Sequence, residues 1–371
     1  MARFRSLLVV LTVLAFLVCG SLVAPSLADN GSNHRGRNQR LGVSGGNVND
    51  ASRRFCCSGT LGALVTDGTT RYILSNNHVL GRSDKAVAGE DVSQPGLIDS
   101  NCNTATVVAD FTIASPLGSN VDAAIAQLRT GTMDATGFIE DIGVPSSAVA
   151  APTVGMSVAK SGRTTGFTTG TVGSMNTSVS VQYTASCGGG KKFTVSYSNQ
   201  VVINSSSFSA GGDSGSLIVT NNSAHNPVAL LYAGSSSATI GNPAGEVLTK
   251  LSNVLGRSLS FVGSGGGNGP TNQKGKSQTE IEPFVRGFGG AMPQLPLQAS
   301  DRASAVLEVH RANLMATPGV IGAGVGVTSE NDTEAAIVVY VDRTSGNRPV
   351  FAPSLDGVAV RVVHTDPFVA F

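Results

Sequence analysis

Three short segments of this chain carry residue types suited to acyl-transfer chemistry. They are Asn77-His78-Val79-Leu80, Val121-Asp122-Ala123-Ala124 and Gly211-Gly212-Asp213-Ser214-Gly215. A neutral serine hydroxyl is a poor nucleophile and needs an adjacent base. Histidine suits that role, because its pKa lies near neutrality and it can return the proton to a leaving amine. A buried aspartate holds the imidazole in one tautomer and stabilises the imidazolium. On this reading Ser214 is the nucleophile, His78 the base and Asp122 the orienting acid, in the chain order His, Asp, Ser. The glycines beside Ser214 let backbone amides converge on an oxyanion, and the N–H groups of Gly212 and Ser214 are the expected donors. Asp213 is expected to be a structural charge.

Each residue has a plainer alternative. His225 is close to Ser214 in sequence, but Asn221-Asn222-Ser223-Ala224-His225-Asn226-Pro227 reads as a turn. Asp110 is the rival of Asp122. It interrupts a strand-like run and reads as an edge charge, whereas Asp122 follows the Gly118-Ser119-Asn120 turn. A Gly/Ser turn accounts for the serine segment taken alone, but not for the ordered His and Asp. Ser216 occupies the place of the last glycine in the G-x-S-x-G elbow, so that elbow is absent.

Short strands must position these residues. Residues 59–66, 71–75, 106–114 and 122–128 read as one β unit, punctuated by Gly, Pro, Asp and Asn. A second set lies at 158–161, 170–172, 178–184, 192–195, 200–203, 216–220 and 227–233. Two sets of short strands without helical crossovers suit two antiparallel barrels better than a parallel sheet. Residues 243–255 have helical spacing and are expected to close this module. Gly-rich residues 263–280 read as a linker. Beyond them, a helix at 302–316 and strands at 320–328, 335–341 and 358–363 predict a small α+β accessory domain over 281–371. The expected fold class is all-β, two antiparallel β-barrels over 51–262, with that α+β domain following.

Composition agrees. Charged residues make up 13%, glycine numbers 46 and tryptophan is absent. Arg3 and Arg5 precede an apolar run to Ala24 and a small-x-small pattern, Ser26-Leu27-Ala28, so residues 1–28 are expected to be a cleaved signal peptide. The apolar run approaches the length of a membrane span, but Gly20, Ser21 and Pro25 weaken it. Loss of Arg3 and Arg5 turns the net charge of +1 into −1, so no field draws nucleic acid or a membrane surface. Residues 29–50 read as an irregular, solvated arm. Cys56, Cys57, Cys102 and Cys187 then remain, an even count that predicts two disulfides in an exported chain, secreted or periplasmic. A bridge between neighbours is strained, so Cys56 and Cys57 are expected to take different partners. No C-x-x-C or H-x-x-x-H spacing suggests zinc. Gly322-Ala323-Gly324-Val325-Gly326 lacks G-x-G-x-x-G spacing and reads as a strand. Neither metal nor cofactor is expected.

At the residues quoted first, with Cys57-Ser58-Gly59-Thr60-Leu61-Gly62 and Ser161-Gly162-Arg163-Thr164-Thr165-Gly166, the chain resembles the chymotrypsin-like serine peptidases, particularly secreted bacterial ones. The order His, Asp, Ser is that family's order. The resemblance spans about residues 41–258. It implies two barrels with the site in the cleft between them, and peptide-bond hydrolysis on a protein or peptide substrate. Carried over by position, Phe208 lies at the base of the P1 pocket and Ala233-Gly234-Ser235 form its wall and the edge that pairs with substrate backbone. Thr239 to Gly241 approach from the other side. These positions hold no Asp, Glu, His or Arg, so a shallow pocket for small or medium uncharged P1 residues is expected. The chain departs from the family in having no cysteine after His78 and no clear Ile-Val-Gly-Gly start. A catalytically silent binding or assembly protein of the same fold is the alternative.

Overall fold

The computed structural model describes residues 34–36, 39–264, 294–329 and 332–371. The expected signal segment and nearly all of the Gly-rich linker lie outside the described residues. The first barrel comprises β1 (Val43–Asn47), β2 (Gly59–Leu61), β3 (Ala63–Thr66), β4 (Arg71–Ser75), β5 (Asp91–Gln94), β6 (Thr106–Ala114) and β7 (Ala124–Leu128). Antiparallel neighbours run β1–β5–β6–β7–β4–β3. β2, separated from β3 by Gly62 alone, returns to β1 and closes the barrel. A one-turn helix, α1 (Asn77–Leu80), follows β4.

The second barrel comprises β8 (Ser157–Gly162), β9 (Gly166–Ser186), β10 (Gly189–Asn204), β11 (Leu217–Thr220), β12 (Pro227–Gly234) and β13 (Ala238–Pro243). Its order β10–β13–β12–β11–β8–β9 closes where β9 pairs with β10. Two closed antiparallel barrels are the chymotrypsin-like architecture that the sequence implies. Helix α2 (Ala244–Leu255) buries Ala244, Val247 and Leu251, a stripe at three- and four-residue spacing. It stops at Gly256, whose φ of +73° supplies a left-handed cap closed by its N–H onto the Ser252 carbonyl.

The remaining elements are β14 (Ser260–Phe261), α3 (Leu297–Ala316), β15 (Val320–Val327), β16 (Ala335–Asp342), β17 (Ser354–Leu355), β18 (Val358–Thr365) and β19 (Phe368–Ala370). The helix and strands expected over 281–371 are present, but their sheet is continuous with the second barrel. β15 pairs with β9, and β16 and β18 continue outward from it. The long β9 strand makes this possible, since its 21 residues outrun its barrel partners. Strand β19 returns to the second barrel, antiparallel to β12 and parallel to β9.

The arm assigned to 29–50 is corrected by two observations. Val43-Ser44-Gly45-Gly46-Asn47 is the fully buried strand β1. Its single apolar side chain hides it from a hydrophobic pattern, yet the glycines are what admit it: a Cβ at Gly45 would lie 2.4 Å from Leu61. His34, expected in a solvated tail, is 1% exposed. Its N–H donates to the Arg163 carbonyl at 2.9 Å and its ring meets Asp141 at 3.0 Å.

The barrels meet across backbone. The Thr60 N–H donates to the Ser214 carbonyl at 2.8 Å. A Cβ at Gly62 would stand 1.8 Å from the Gly215 carbonyl oxygen, so the bend between β2 and β3 and the serine loop are pressed together without a side chain between them. Gly62→Ala is therefore expected to lower unfolding stability by about 3 kcal/mol, the upper range for overpacking, in denaturant titration of the purified chain.

Candidate active site

Each of the three chemical residues sits at the end of an element where the barrels face each other. Asp122 lies two residues before β7 and is fully buried. Its N–H donates to Asn242 Oδ1 at 3.0 Å and its carbonyl accepts from Asn76 Nδ2 at 2.7 Å. His78 lies in α1, just past the end of β4. Its backbone N–H donates to Asp122 Oδ1 at 3.1 Å, and its Nδ1–H donates to Asp122 Oδ2 at 2.6 Å. The same carboxylate orients the ring and the short helix that carries it.

Tyr183 of β9 adds a third donor, its hydroxyl reaching Asp122 Oδ2 at 2.9 Å. A Tyr197 hydroxyl 2.6 Å away continues the chain of phenols. Burial, then the Asp122 charge, pushes the Tyr183 phenol well above its ordinary pKa, so it stays protonated and keeps donating. Its ring stands edge-on to His78 at 6.0 Å between centroids.

Burial lowers the His78 pKa, but the Asp122 charge and hydrogen bond, a backbone carbonyl at Phe371 and the Asp50 charge outweigh it, and the net shift is upward. His78 Nε2 lies 3.0 Å from the Phe371 carbonyl oxygen. Both ring nitrogens thus face acceptors, the environment of an imidazolium.

Ser214 is fully buried, and its hydroxyl donates to the Tyr232 carbonyl at 3.2 Å. Its loop is shaped by Asp213, whose carboxylate accepts from the N–H groups of Thr164, Thr165 and Ala210 at 2.8, 3.2 and 2.9 Å and from Thr165 Oγ1 at 2.7 Å. Lys160 Nζ sits 3.5 Å from Asp213 Oδ2, with both side chains wholly buried. The ammonium also donates to the Gly166 carbonyl at 2.9 Å and to Thr165 Oγ1. Burial pushes its pKa down to about 8, against the pull of Asp213. Sequence reading placed Lys160 in a strand without a role. The available signal was a lone cation in an otherwise small and apolar β8. Asp213 is thus a buried charge paired with an internal lysine.

The Gly212 backbone has φ +97°, and a Cβ there would lie 2.6 Å from both Arg163 Nη1 and Thr164 Oγ1. Thr164 Oγ1 donates to the Gly211 carbonyl at 2.7 Å, which fixes the peptide plane that carries the Gly212 N–H.

The residues assigned to the pocket also converge. Phe208 is buried in a cluster with Val158, Val172, Val201, Ile203 and Ile218, against which Phe371 packs. A Cβ on Gly234 would lie 2.5 Å from Phe371 Cζ, so the aromatic ring lies flush on the Gly234 backbone. Ala233 and Gly234 pair with Ala370 and Val369. Ser235 turns its hydroxyl to Thr365 at 2.6 Å. Beyond Phe371, a cleft of about 270 Å3 opens past His78 along Tyr183, Ser58 and Asp50. Cys56–Cys102 and Cys57–Cys187 are bonded, so the adjacent cysteines take different partners.

No protein-family model matches the chain, and no curated protein matches it. Among solved structures it is similar to a glutamic acid specific serine protease described as using a histidine triad in substrate binding, at 22% identity over 60% of this chain and 98% of that one, with a TM-score of 0.42. It is also similar to Thermobifida fusca Protease A, at 16% identity over 61% and 99% of the two chains and a TM-score of 0.40. A Cellulomonas bogoriensis chymotrypsin is similar at 17% identity over 62% and 100%, with a TM-score of 0.40.

Two measurements check the electrostatics. Lys160→Met leaves Asp213 without its buried cation, though with four other hydrogen bonds, and is expected to cost about 3 kcal/mol in denaturant unfolding, the lower range for breaking a buried pair. His78 is expected to titrate above its ordinary value of about 6.5 in a proton NMR titration, and Asp122→Asn to bring it down. Since the folded value is the higher one, the stability His78 adds is complete below about pH 6.5 and fades as pH rises through the folded value.

Proposed function

We propose that this protein is a serine endopeptidase, hydrolysing peptide bonds through an acyl-enzyme with Ser214 as nucleophile, His78 as general base and acid, and Asp122 as the orienting carboxylate. The observation that carries this reading is the 2.6 Å bond from His78 Nδ1 to a buried Asp122, with Nε2 turned toward the Phe371 backbone oxygen in the groove beside Ser214. In the reaction His78 Nε2 takes the Ser214 proton as Oγ attacks the carbonyl, and the N–H groups of Gly212 and Ser214 stabilise the oxyanion. The imidazolium then gives its proton to the leaving amine. Water repeats the sequence on the acyl-enzyme and frees the acid product. Phe208, Ala233, Gly234 and Ser235 form an uncharged P1 pocket. The two disulfides and the N-terminal signal pattern support action outside the cytoplasm.

One observation favours a second reading, a catalytically silent binding protein of the same fold. The Ser214 hydroxyl donates to the Tyr232 carbonyl instead of to the imidazole. Fluorophosphonate labelling separates the two. Endopeptidase action predicts covalent modification of Ser214, detected by peptide mass mapping, and its loss in His78→Ala. Casein hydrolysis should disappear in Ser214→Ala and fall by about 10⁴-fold in Asp122→Asn, the scale known for a miset triad histidine. An unmodified Ser214, both in the full chain and in Phe371→Asp, would establish the silent protein.

A further inference from the structure

The groove beside the candidate triad is occupied by the chain itself. Residues 368–371 enter it as an extended segment, with Val369 opposite Gly234 and Ala370 opposite Ala233 in antiparallel register. The Phe371 N–H continues the ladder to the Tyr232 carbonyl at 3.4 Å. The side chain of Phe371 then turns against Gly234 into the cluster that contains Phe208, and its carbonyl reaches His78 Nε2. Backbone pairing and a side chain packed against Gly234 are what a bound peptide presents to such a site, and the Phe371 oxygen at His78 Nε2 covers the base. A strand serving only to finish the sheet would require the first of these and neither of the others.

We propose that residues 368–371 are an inhibitor in cis, an occupant that places Phe371 in the P1 position, and that the groove accordingly selects peptides with an aromatic P1 residue after an apolar segment. The proposal rests on the serine endopeptidase reading for its chemistry, but not for the binding itself.

Three features of the structure sustain the occupancy. Phe368 is wholly buried, edge-on to Tyr340 at 5.7 Å between centroids, and anchors the segment where it enters. Just before it, Thr365 Oγ1 is hydrogen-bonded to Ser235 and Ser237 at 2.6 and 2.9 Å, and Asp366 pairs with Arg343 at 2.6 Å. A ligand held this way competes at an effective concentration on the order of millimolar or above, so even weak intrinsic affinity keeps the groove filled. Finally, with Asp122 at Nδ1 and the Phe371 carbonyl at Nε2, His78 is held in the form that carries both protons. An imidazolium cannot accept the Ser214 proton. The segment therefore both fills the pocket and occupies the base.

Removal of residues 369–371 tests this, leaving buried Phe368 in place. Phe371→Asp in the full chain is the second variant, should the shortened chain fail to fold. Fluorophosphonate modification of Ser214 is expected to be at least tenfold faster in either variant than in the full chain. The peptide Phe-Val-Ala-Phe, as free acid, should restore protection of the shortened chain. Against p-nitroanilides differing only at P1, the shortened chain should favour Phe over Ala, Arg and Glu by at least tenfold. Equal labelling rates in the full chain and both variants would overturn the inhibitory role while leaving Ser214 as a nucleophile, and preference for a charged P1 residue would overturn the substrate class. Should no form be labelled, calorimetric binding of Phe-Val-Ala-Phe to the shortened chain carrying Ser214→Ala decides separately. Binding there upholds the groove assignment and sinks the endopeptidase reading, and no binding overturns the occupancy proposal itself.

Discussion

The fold is organised around a carboxylate that has no access to water. Taking an ion out of water costs several kcal/mol even after the protein relaxes, and the cost is offset only by well-placed donors. Asp122 receives three, from the His78 backbone, the His78 ring and the Tyr183 hydroxyl. They come from different parts of the molecule: the short helix after β4 and the long β9 strand of the other barrel. Asn242, at the end of β13, holds the Asp122 backbone from the second barrel as well. The charge thus has satisfied partners only when both barrels are formed and docked. A site built this way is coupled to the integrity of the whole fold, and the histidine it orients inherits that rigidity.

The second buried carboxylate, Asp213, meets the same problem differently. Most of its donors lie in the turn between β8 and β9, and its counter-charge is the buried ammonium of Lys160. Asp122 orients the His78 imidazole, whereas Asp213 shapes the loop on which Ser214 stands. Glycines then permit the approach. Gly62 and Gly215 are where backbone meets backbone, and no side chain fits at either. The serine loop is therefore defined from one side by an ion pair and from the other by a steric limit.

Much of this was legible in the sequence. Strands β4 and β6, the helix at 244–255, and the meeting of His78 with Asp122 follow from hydrophobic runs, turn residues and chain order. What escaped was whatever depends on partners distant in sequence. β1 is too rich in glycine to show a pattern, and is a strand because Leu61 and Val92 supply its apolar surroundings. Tyr183 sits among Ser and Thr residues in a strand whose period says only which face it occupies. That the face looks onto Asp122 is a matter of how the barrels dock. β19 is three residues long and was not anticipated, because both its neighbours in the sheet lie more than a hundred residues upstream. The local sequence of such a strand is nearly silent.

The Cys57–Cys187 bond joins the first barrel to the tip of the β9–β10 hairpin, across 130 residues of sequence. Closing so long a loop restricts the unfolded chain by about 5 kcal/mol on entropic estimates, but its geometric effect on the folded molecule is more specific. The hairpin that carries Tyr183 is fastened at its far end to the opposite wall of the cleft. The bond limits how far the two walls can separate at that point. Both walls of the groove are thus joined by a covalent bond as well as by packing, and a strand lying between them is bordered by a frame and not by two independent halves.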